Sequence, residues 1–149
     1  MKILQLRVND DPALKRQCKE VAVVDDNIRG LLQDMMFTLQ ATENGAALAA
    51  NQVGIFWRLI VIDYFDNRLM LVNPRIISES GSQECIEGCL SFPDRFGKTI
   101  RPWEVTVQAL TETGQEIVLT AKGEMAKCFC HEIDHLDGKV FIDKVIEWL

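Results

Sequence analysis

The sequence lacks the features of several specialised classes of protein. No uninterrupted apolar run approaches the roughly 20 residues that a membrane-spanning helix needs. Acidic residues outnumber basic ones by 22 to 16, and the net charge of −6 does not support a basic face for nucleic acid. There is no internal repeat, low-complexity tract or linker. We therefore expect neither a membrane span nor a nucleic-acid partner.

Features of secreted proteins are also missing. The apolar stretch within residues 1–7 is interrupted too early to form the core of a signal peptide. An odd number of cysteines without a secretory context predicts reduced thiols and makes them candidates for metal ligation. The five cysteines are Cys18, Cys85, Cys89, Cys128 and Cys130. A cytoplasmic location is the resulting expectation.

Length and composition are those of an ordinary globular domain. The chain has 149 residues, of which 48% are apolar and 26% are charged, and this is enough to bury a substantial core. We expect one domain covering residues 1–149.

Hydrophobic periodicity predicts helices near both ends of the chain. Asp10-Asp11-Pro12 is a typical start for a short helix. A longer helix is predicted after Asp25 or Asp26, with Asn44-Gly45 at its end. The helical period returns at about Gly123 and continues to Gly138.

The segments between these helices are predicted to be strands. Continuous or alternating apolar residues indicate strands at residues 58–65, 69–77, 99–101, 104–110 and 115–120. Pro74 marks an edge or a bulge in the second of these. Strands in the middle with helices at both ends predict an α+β fold, in which antiparallel or mixed sheets pack around the C-terminal helix.

Histidine is scarce, and its placement carries the functional signal. The only two histidines, His131 and His135, are four residues apart in the predicted C-terminal helix. Their imidazoles would lie one turn apart on one face and could share a metal ion at about 2.0–2.1 Å. Glu132 leaves that face at an angle, so its carboxylate could reach a water on the metal. This H-E-x-x-H pattern is typical of zinc hydrolases, with two ligands and a general base on one helix.

A third ligand must come from a cysteine or a carboxylate, because no histidine remains. Cys89 is the first candidate, since Gly88 lets the backbone come close and the segment 87–91 has turn character. Cys128 is the alternative, three residues before His131 on nearly the same helix face. We prefer Cys89 because one helix offers awkward angles for three tetrahedral ligands, whereas a loop can approach from the opposite side.

Three motifs together resemble those of the peptide deformylase family. They are residues 45–54 (GAALAANQVG), residues 87–91 (EGCLS) and residues 131–136 (HEIDHL). That family shows G-x-G-L-A-A-x-Q, E-G-C-L-S and H-E-x-D-H-L in the same order and spacing, and the similarity runs over nearly the whole chain. The resemblance implies a peptide deformylase-like α+β fold, built around the C-terminal metal-binding helix that carries HExxH.

The resemblance also implies a site and a reaction. Cys89, His131 and His135 would hold one divalent metal, which is ferrous iron in most of the family, although zinc or nickel can substitute. Glu132 would be the general base and acid while metal-bound hydroxide attacks the formyl carbon, and formate would leave. The Gln52 side chain and the backbone N–H of Leu90 would stabilise the oxyanion. The substrate would be the N-formylmethionine of a newly synthesised polypeptide, with the ribosome as a further candidate partner.

Six further residues are expected to border the bound peptide, and two of them depart from the family pattern. These residues are Gly45, Ala46, Ala47, Gly88, Lys127 and Cys128. Ala46 replaces a branched residue and would widen the methionine pocket. Ala47 replaces a glycine, which would cost about 1 kcal/mol or hinder peptide docking if the position needs positive φ or a close approach of the peptide backbone. Outside the pocket, Arg101 is placed to pair with Glu87 and brace the segment of Cys89.

Two alternative functions remain open from the sequence. A general HExxH metallopeptidase would cleave internal amide bonds and would use Glu or His as its third ligand. A catalytically weakened, deformylase-like protein would bind metal but turn over poorly because of Ala46 and Ala47. Retention of base, ligands and oxyanion donors favours the deformylase.

Overall fold

The computed structural model describes residues 1–149, and its longest helix follows from a helix-start signal in the sequence. Helix α1 spans Asp26–Ala41, and the side chain of Asp25 accepts a hydrogen bond from the Ile28 backbone N–H at its start. The helix ends at Ala41, earlier than the expected Asn44-Gly45, because Thr42 is already extended. The predicted short N-terminal helix is a 3-10 helix, Pro12–Lys15, capped by Asp11.

Eight strands account for most of the remaining chain. They are β1 (Ala47–Ala49), β2 (Leu59–Tyr64), β3 (Asn67–Ser80), β4 (Gln83–Cys89), β5 (Phe92–Arg101), β6 (Glu104–Leu110), β7 (Glu116–Lys122) and β8 (Glu147–Trp148). Strands β2, β3, β6 and β7 occupy the segments where strands were predicted, and β5 begins earlier than the predicted segment 99–101. The short β1 and β8 and the whole of β4 were not predicted.

The strands form two antiparallel sheets. The larger sheet has the order β1-β2-β3-β6-β7, and the smaller one has the order β4-β5-β8. The β3–β6 register shifts between Val72 and Arg75, so Pro74 lies at a bulge, as its missing N–H predicts. The fold is therefore the expected α+β arrangement.

Strand β4 corrects the expectation that Cys89 lies in a loop. Residues 83–89 pair with β5, and Cys89 is the last residue of the strand. The apolar pattern missed this strand because Glu87 is buried on its inner face while Ile86 is exposed on the outer face. This inversion of the usual pattern arises because the inner face of the small sheet carries a polar network.

Helix α2 (Glu124–Leu136) lies at the centre of the molecule. Nine of its residues are buried, and its apolar side chains join those of α1 and the five-stranded sheet in one core. Gly138 follows the helix at φ +75°, and a Cβ there would fall 2.5 Å from the Lys15 carbonyl oxygen. Only glycine allows this close approach, which fixes the end of α2 against the N-terminal segment. Neither α1 nor α2 has the combination of length and hydropathy that spanning a membrane requires.

Candidate metal centre and active site

Three potential ligands meet where α2 faces the end of β4. The ligand atoms of Cys89, His131 and His135 all lie within 4.8 Å of one another. The Cys89 Sγ is 3.3 Å from Nε2 of His135. The two imidazoles come from successive turns of α2 with ring centroids 4.9 Å apart, because four residues advance the helix by about one turn. Cys128 also faces this region, but it is not one of the three converging residues.

The donor set fits a tetrahedral metal ion. Ligands at about 2.0–2.3 Å from one ion lie roughly 3.3–3.8 Å from each other, which agrees with the distance from Cys89 to His135. One sulfur and two imidazoles suit zinc, iron or nickel and do not suit calcium or magnesium, which prefer oxygen ligands. Burial lowers the pKa of His135 well below its usual range, so its imidazole is neutral, the form that binds metals.

Glu87 fixes the orientation of one histidine. Its Oε1 accepts a hydrogen bond from Nδ1 of His131 at 2.8 Å, which leaves Nε2 of that ring for a metal. The guanidinium of Arg101 donates to both Glu87 oxygens, at 2.7 and 2.9 Å, and Thr99 donates to one of them. Burial alone raises the pKa of Glu87, but the hydrogen bonds from His131 and Arg101 outweigh it and hold this pKa well below the usual range. Glu87 is therefore a buried carboxylate.

The hydrogen-bond network of Glu87 and Arg101 extends to the outer side of α2. Arg101 also donates to Asp134 at 2.7 Å, and Lys144 lies 3.1 Å from the same carboxylate. The expected pair of Arg101 and Glu87 is thus present, and it extends to a third residue on the ligand helix. Sequence reasoning had no signal for this extension, because Asp134 and Arg101 are 33 residues apart.

Glu132 also lies on α2, and its carboxyl group is in an unusual environment. Burial raises the pKa of Glu132 to about 7. Its Oε1 is buried without a hydrogen-bond partner. A carboxyl whose pKa is near neutrality can both take up and release a proton, which is the requirement for a general base that later acts as an acid.

Gln52 reaches the ligands from the opposite side. It lies in a 3-10 helix, Ala50–Val53, directly after β1, and its side chain is fully buried. Nε2 of Gln52 is 3.4 Å from Sγ of Cys89 and 3.1 Å from Oγ of Ser91. Leu90 follows Cys89 in the turn between β4 and β5. Both groups expected to face an oxyanion therefore adjoin the sulfur.

A cleft of about 580 Å³ opens over these residues. Nine of the twelve residues expected from the sequence line it: Ala46, Ala47, Gly88, Cys89, Leu90, Lys127, Cys128, His131 and Glu132. Gln52 and His135 lie behind the cleft wall and reach it through Cys89. Gly45 does not line the cleft and packs instead against Leu39 of α1.

Several cleft residues were not expected from the sequence. They are Glu43, Asn44, Tyr64, Pro93, Asp94 and Phe96. The Phe96 ring lies over Gly88, where a Cβ would come within 2.5 Å of a ring atom. A side chain at position 88 would therefore displace the Phe96 ring, which is half exposed. The β4–β5 hairpin folds Phe96 back beside Gly88, and this contact was not expected because β4 was not predicted as a strand.

Ala46 and Ala47, the two positions where the first motif departs from the family pattern, have ordinary backbone conformations. Ala47 pairs with Ile62 in β1, and its φ is not in the left-handed region. The conformational cost that would follow from positive φ therefore does not arise at Ala47. Ala46 lines the cleft with a methyl group only.

The geometry of the site defines a class of protein. A helix with two histidines and a buried glutamate, facing a cysteine at the end of a strand, has the parts of a metal-dependent hydrolase. The model of the polypeptide deformylase family matches residues 3–148. The chain belongs to the polypeptide deformylase family, and it is a hydrolase with deformylase function.

Individual relatives agree with this assignment. The chain is 53% identical to peptide deformylase 2 of Clostridium acetobutylicum, over all of this chain and 99% of that protein. It is 45% identical to the peptide deformylase of Natranaerobius thermophilus, over 99% of this chain and 95% of that protein.

Solved structures share the fold. The crystal structure of peptide deformylase from Thermotoga maritima superposes with a TM-score of 0.92 at 33% identity, covering 96% of this chain and 97% of that one. The Synechococcus elongatus peptide deformylase in complex with actinonin gives a TM-score of 0.91 at 39% identity, covering 95% and 78%.

Proposed function

We propose that the protein removes the formyl group from the N-terminal formylmethionine of newly synthesised polypeptides and that all 149 residues act as one catalytic domain. We further propose that it works in the cytoplasm, close to the ribosome on which such chains are made. Membership of the deformylase family supports the substrate class. The cleft supports it as well, since it is open to solvent on one side and lined by the ends of β1 and β4, as an extended peptide requires.

Cys89, His131 and His135 are the proposed ligands of one ferrous ion, and zinc or nickel would fit the same donors. When bound, a divalent ion at this place supplies Lewis-acid polarisation and makes a water more acidic. Glu87 and Arg101 hold His131 in the tautomer that a ligand needs, through the 2.8 Å hydrogen bond to Nδ1.

Glu132 is the proposed carrier of the proton. Its unpartnered Oε1 can accept a proton from the attacking water and later release it to the amine nitrogen of the departing peptide. A pKa near 7 suits both halves of this transfer, because neither the protonated nor the ionised form is strongly favoured at neutral pH.

Gln52 and Leu90 are the proposed donors to the developing oxyanion. The amide nitrogen of Gln52 already points to the sulfur at 3.4 Å, and Leu90 is the residue after that cysteine in the turn. Removing one such preorganised donor typically costs about 3–4 kcal/mol of activation free energy. The five cleft residues named from the sequence (Ala46, Ala47, Gly88, Lys127 and Cys128) would position the peptide, together with Gly45, which precedes β1.

The convergence of Cys89 with the two histidines is the observation that carries this proposal. A general HExxH peptidase was expected to use Glu or His as its third ligand, whereas the sulfur at 3.3 Å from His135 supports Cys89 as the third ligand. No particular contact favours the peptidase, so the deformylase is the only function we propose.

The direct test measures formate released from formyl-Met-Ala-Ser by protein loaded anaerobically with iron. Glu132→Gln should keep the metal but lower kcat by about 10²–10⁴-fold. The matched control is Glu84→Gln, which makes the same change on the exposed face of β4 and should leave kcat unchanged. Metal-loaded wild type that releases no formate would refute the proposed function.

A further inference from the structure

Ser91 is a fully buried polar residue that the proposed chemistry does not use. It follows Leu90 in the turn between β4 and β5, and its exposed fraction is zero. Its carbonyl oxygen accepts the Asn9 backbone N–H at 2.8 Å, which fixes the turn. Its Oγ accepts a hydrogen bond from Nε2 of Gln52 at 3.1 Å. A buried hydroxyl in such a place must have its hydrogen bonds satisfied locally.

The orientation of the Gln52 amide is determined by its neighbours. The backbone N–H of Ala49 can only donate, and it lies 2.9 Å from Oε1 of Gln52. The amide oxygen must therefore face Ala49, and the amide nitrogen must face the β4–β5 turn. A flipped amide would place two donors against each other at Ala49.

The amide nitrogen has two hydrogens, and the structure gives each a direction. One is donated to Oγ of Ser91, and the other points toward Sγ of Cys89 at 3.4 Å. Only the second lies on the side of Cys89, where the formyl carbon would be attacked and its oxygen would become the oxyanion. Sulfur is a weak hydrogen-bond acceptor. This N–H can therefore exchange the sulfur for a stronger acceptor, such as an oxyanion, at low cost.

We propose that Ser91 is a positioning residue for the reaction: by accepting one Gln52 amide hydrogen, it directs the other toward the developing oxyanion. This inference rests on the proposed function of Gln52. Without the Ser91 hydroxyl, the buried amide loses one of its acceptors, and only the contact of its oxygen with the Ala49 N–H still directs it. The donor is then no longer preorganised, and preorganisation is the source of its effect on rate.

The test is a double-mutant cycle of Ser91→Ala and Gln52→Ala, measured as formate release from formyl-Met-Ala-Ser. We expect Ser91→Ala to lower kcat about tenfold with KM changed by less than about twofold, since the effect falls on the transition state. Ser91→Ala should cost nothing further in the Gln52→Ala background, because its route of action is already gone. Ser91→Thr, which keeps the hydroxyl, should restore most of kcat.

A second measurement is independent of activity. Cobalt-loaded wild type and Ser91→Ala should bind one Co²⁺ per chain with the same thiolate-to-cobalt charge-transfer band, because Ser91 acts on Gln52 and not on the ligands. If Ser91→Ala does not fold, Ser91→Cys, which has a similar size and a weak acceptor, takes its place in the same cycle.

The outcomes separate this inference from the proposed function. Suppose that wild type releases formate and that the loss of kcat in the double variant equals the product of the losses in Ser91→Ala and Gln52→Ala. This result would overturn the role of Ser91 and leave the proposed function standing. A changed cobalt band in Ser91→Ala would also overturn it, since the serine would then act through Cys89. Wild type without turnover would refute the proposed function itself.

Discussion

Nδ1 of His131 donates to Oε1 of Glu87 at 2.8 Å, and this contact joins the ligand helix α2 to strand β4. The carboxylate is 1% exposed and is also held by Arg101, whose side chain is 4% exposed. A buried ion pair of this kind costs desolvation and is stable only when all its hydrogen bonds are made. Its effect is to orient His131, a proposed metal ligand, while connecting strand β4 of the smaller sheet to α2.

Glu87→Gln is predicted to weaken metal binding and the fold together. The amide cannot accept from both His131 and Arg101 as the carboxylate does, and the buried guanidinium loses its counter-charge. Metal affinity should fall by about 10–100-fold. The free energy of unfolding of the metal-free protein should fall by about 3 kcal/mol.

Chelator competition measures the metal affinity of this variant, and urea unfolding measures its stability. The control is Glu84→Gln, which removes an exposed carboxylate from the same strand. Metal affinity within twofold of wild type would contradict the role given to Glu87.

Metal removal is predicted to expose one reactive thiol. Cys89 is half-buried, whereas the other four cysteines are buried. Burial raises the pKa of Cys18 and of Cys130 to about 11 and that of Cys128 further. The thiolate is the reactive form, so iodoacetamide should modify Cys89 first in chelated protein, and added metal should protect it.

Peptide mass spectrometry at several times of alkylation identifies the modified residue. Earlier modification of Cys128 than of Cys89, or labelling that metal does not slow, would show that Cys89 is not the ligand.

Glu132 is predicted to make the metal-free protein less stable as the pH rises. Burial raises the pKa of Glu132 from its ordinary value of 4.5 to about 7, so the folded state binds more protons than the unfolded chain between these values. Its contribution is therefore fully present below pH 4.5 and is lost as the pH rises through 7.

Glu132→Gln removes this titration, because glutamine stays neutral. The metal-free variant should become more stable than metal-free wild type as pH rises, by about 3 kcal/mol above pH 7. Urea unfolding of both proteins at a series of pH values gives the difference, with Glu84→Gln as the control. A stability difference that does not change with pH would contradict the assigned environment.

Ala47→Gly is predicted not to raise activity. Ala47 has an extended backbone paired with Ile62, so glycine relieves no strain there. It should instead destabilise the strand by about 0.5–1 kcal/mol. Formate assays should give kcat/KM within about threefold of wild type. A large gain in turnover would support the alternative in which this alanine has weakened the enzyme.

The local parts of the structure were predictable. Helix α2 and the common face of His131 and His135 follow from spacing alone, since a helix fixes the relation of positions four apart. Strand β6 was predicted with its observed bounds from the alternation of apolar residues in the sequence, and buried and half-buried positions alternate in the structure as well. The N-terminus of α1 was predicted at Asp25 or Asp26, and Asp25 is the residue whose side chain accepts the Ile28 backbone N–H.

Other parts were not predictable from local pattern. Strand β4 was missed because Glu87, a charged residue, takes an inward position that apolar residues usually occupy. The resemblance to a known family supplied Gln52 as a site residue, although its sequence neighbourhood gives no sign of an amide fixed between Ala49, Ser91 and Cys89.

The amino-acid pattern is enough to predict the helix that presents two imidazoles and a carboxylate, because the geometry of a helix relates residues that are close in the chain. The choice between Cys89 and Cys128 as the residue that meets the two histidines is visible only in the folded chain, where Cys89 converges with them as expected from the sequence. That choice depends on how β4 packs against α2, since Cys89 and His131 are far apart along the chain. Contacts over such distances depend on the packing of the whole core and on the buried ion pair of Glu87 and Arg101. Neither can be predicted from a short segment of the sequence.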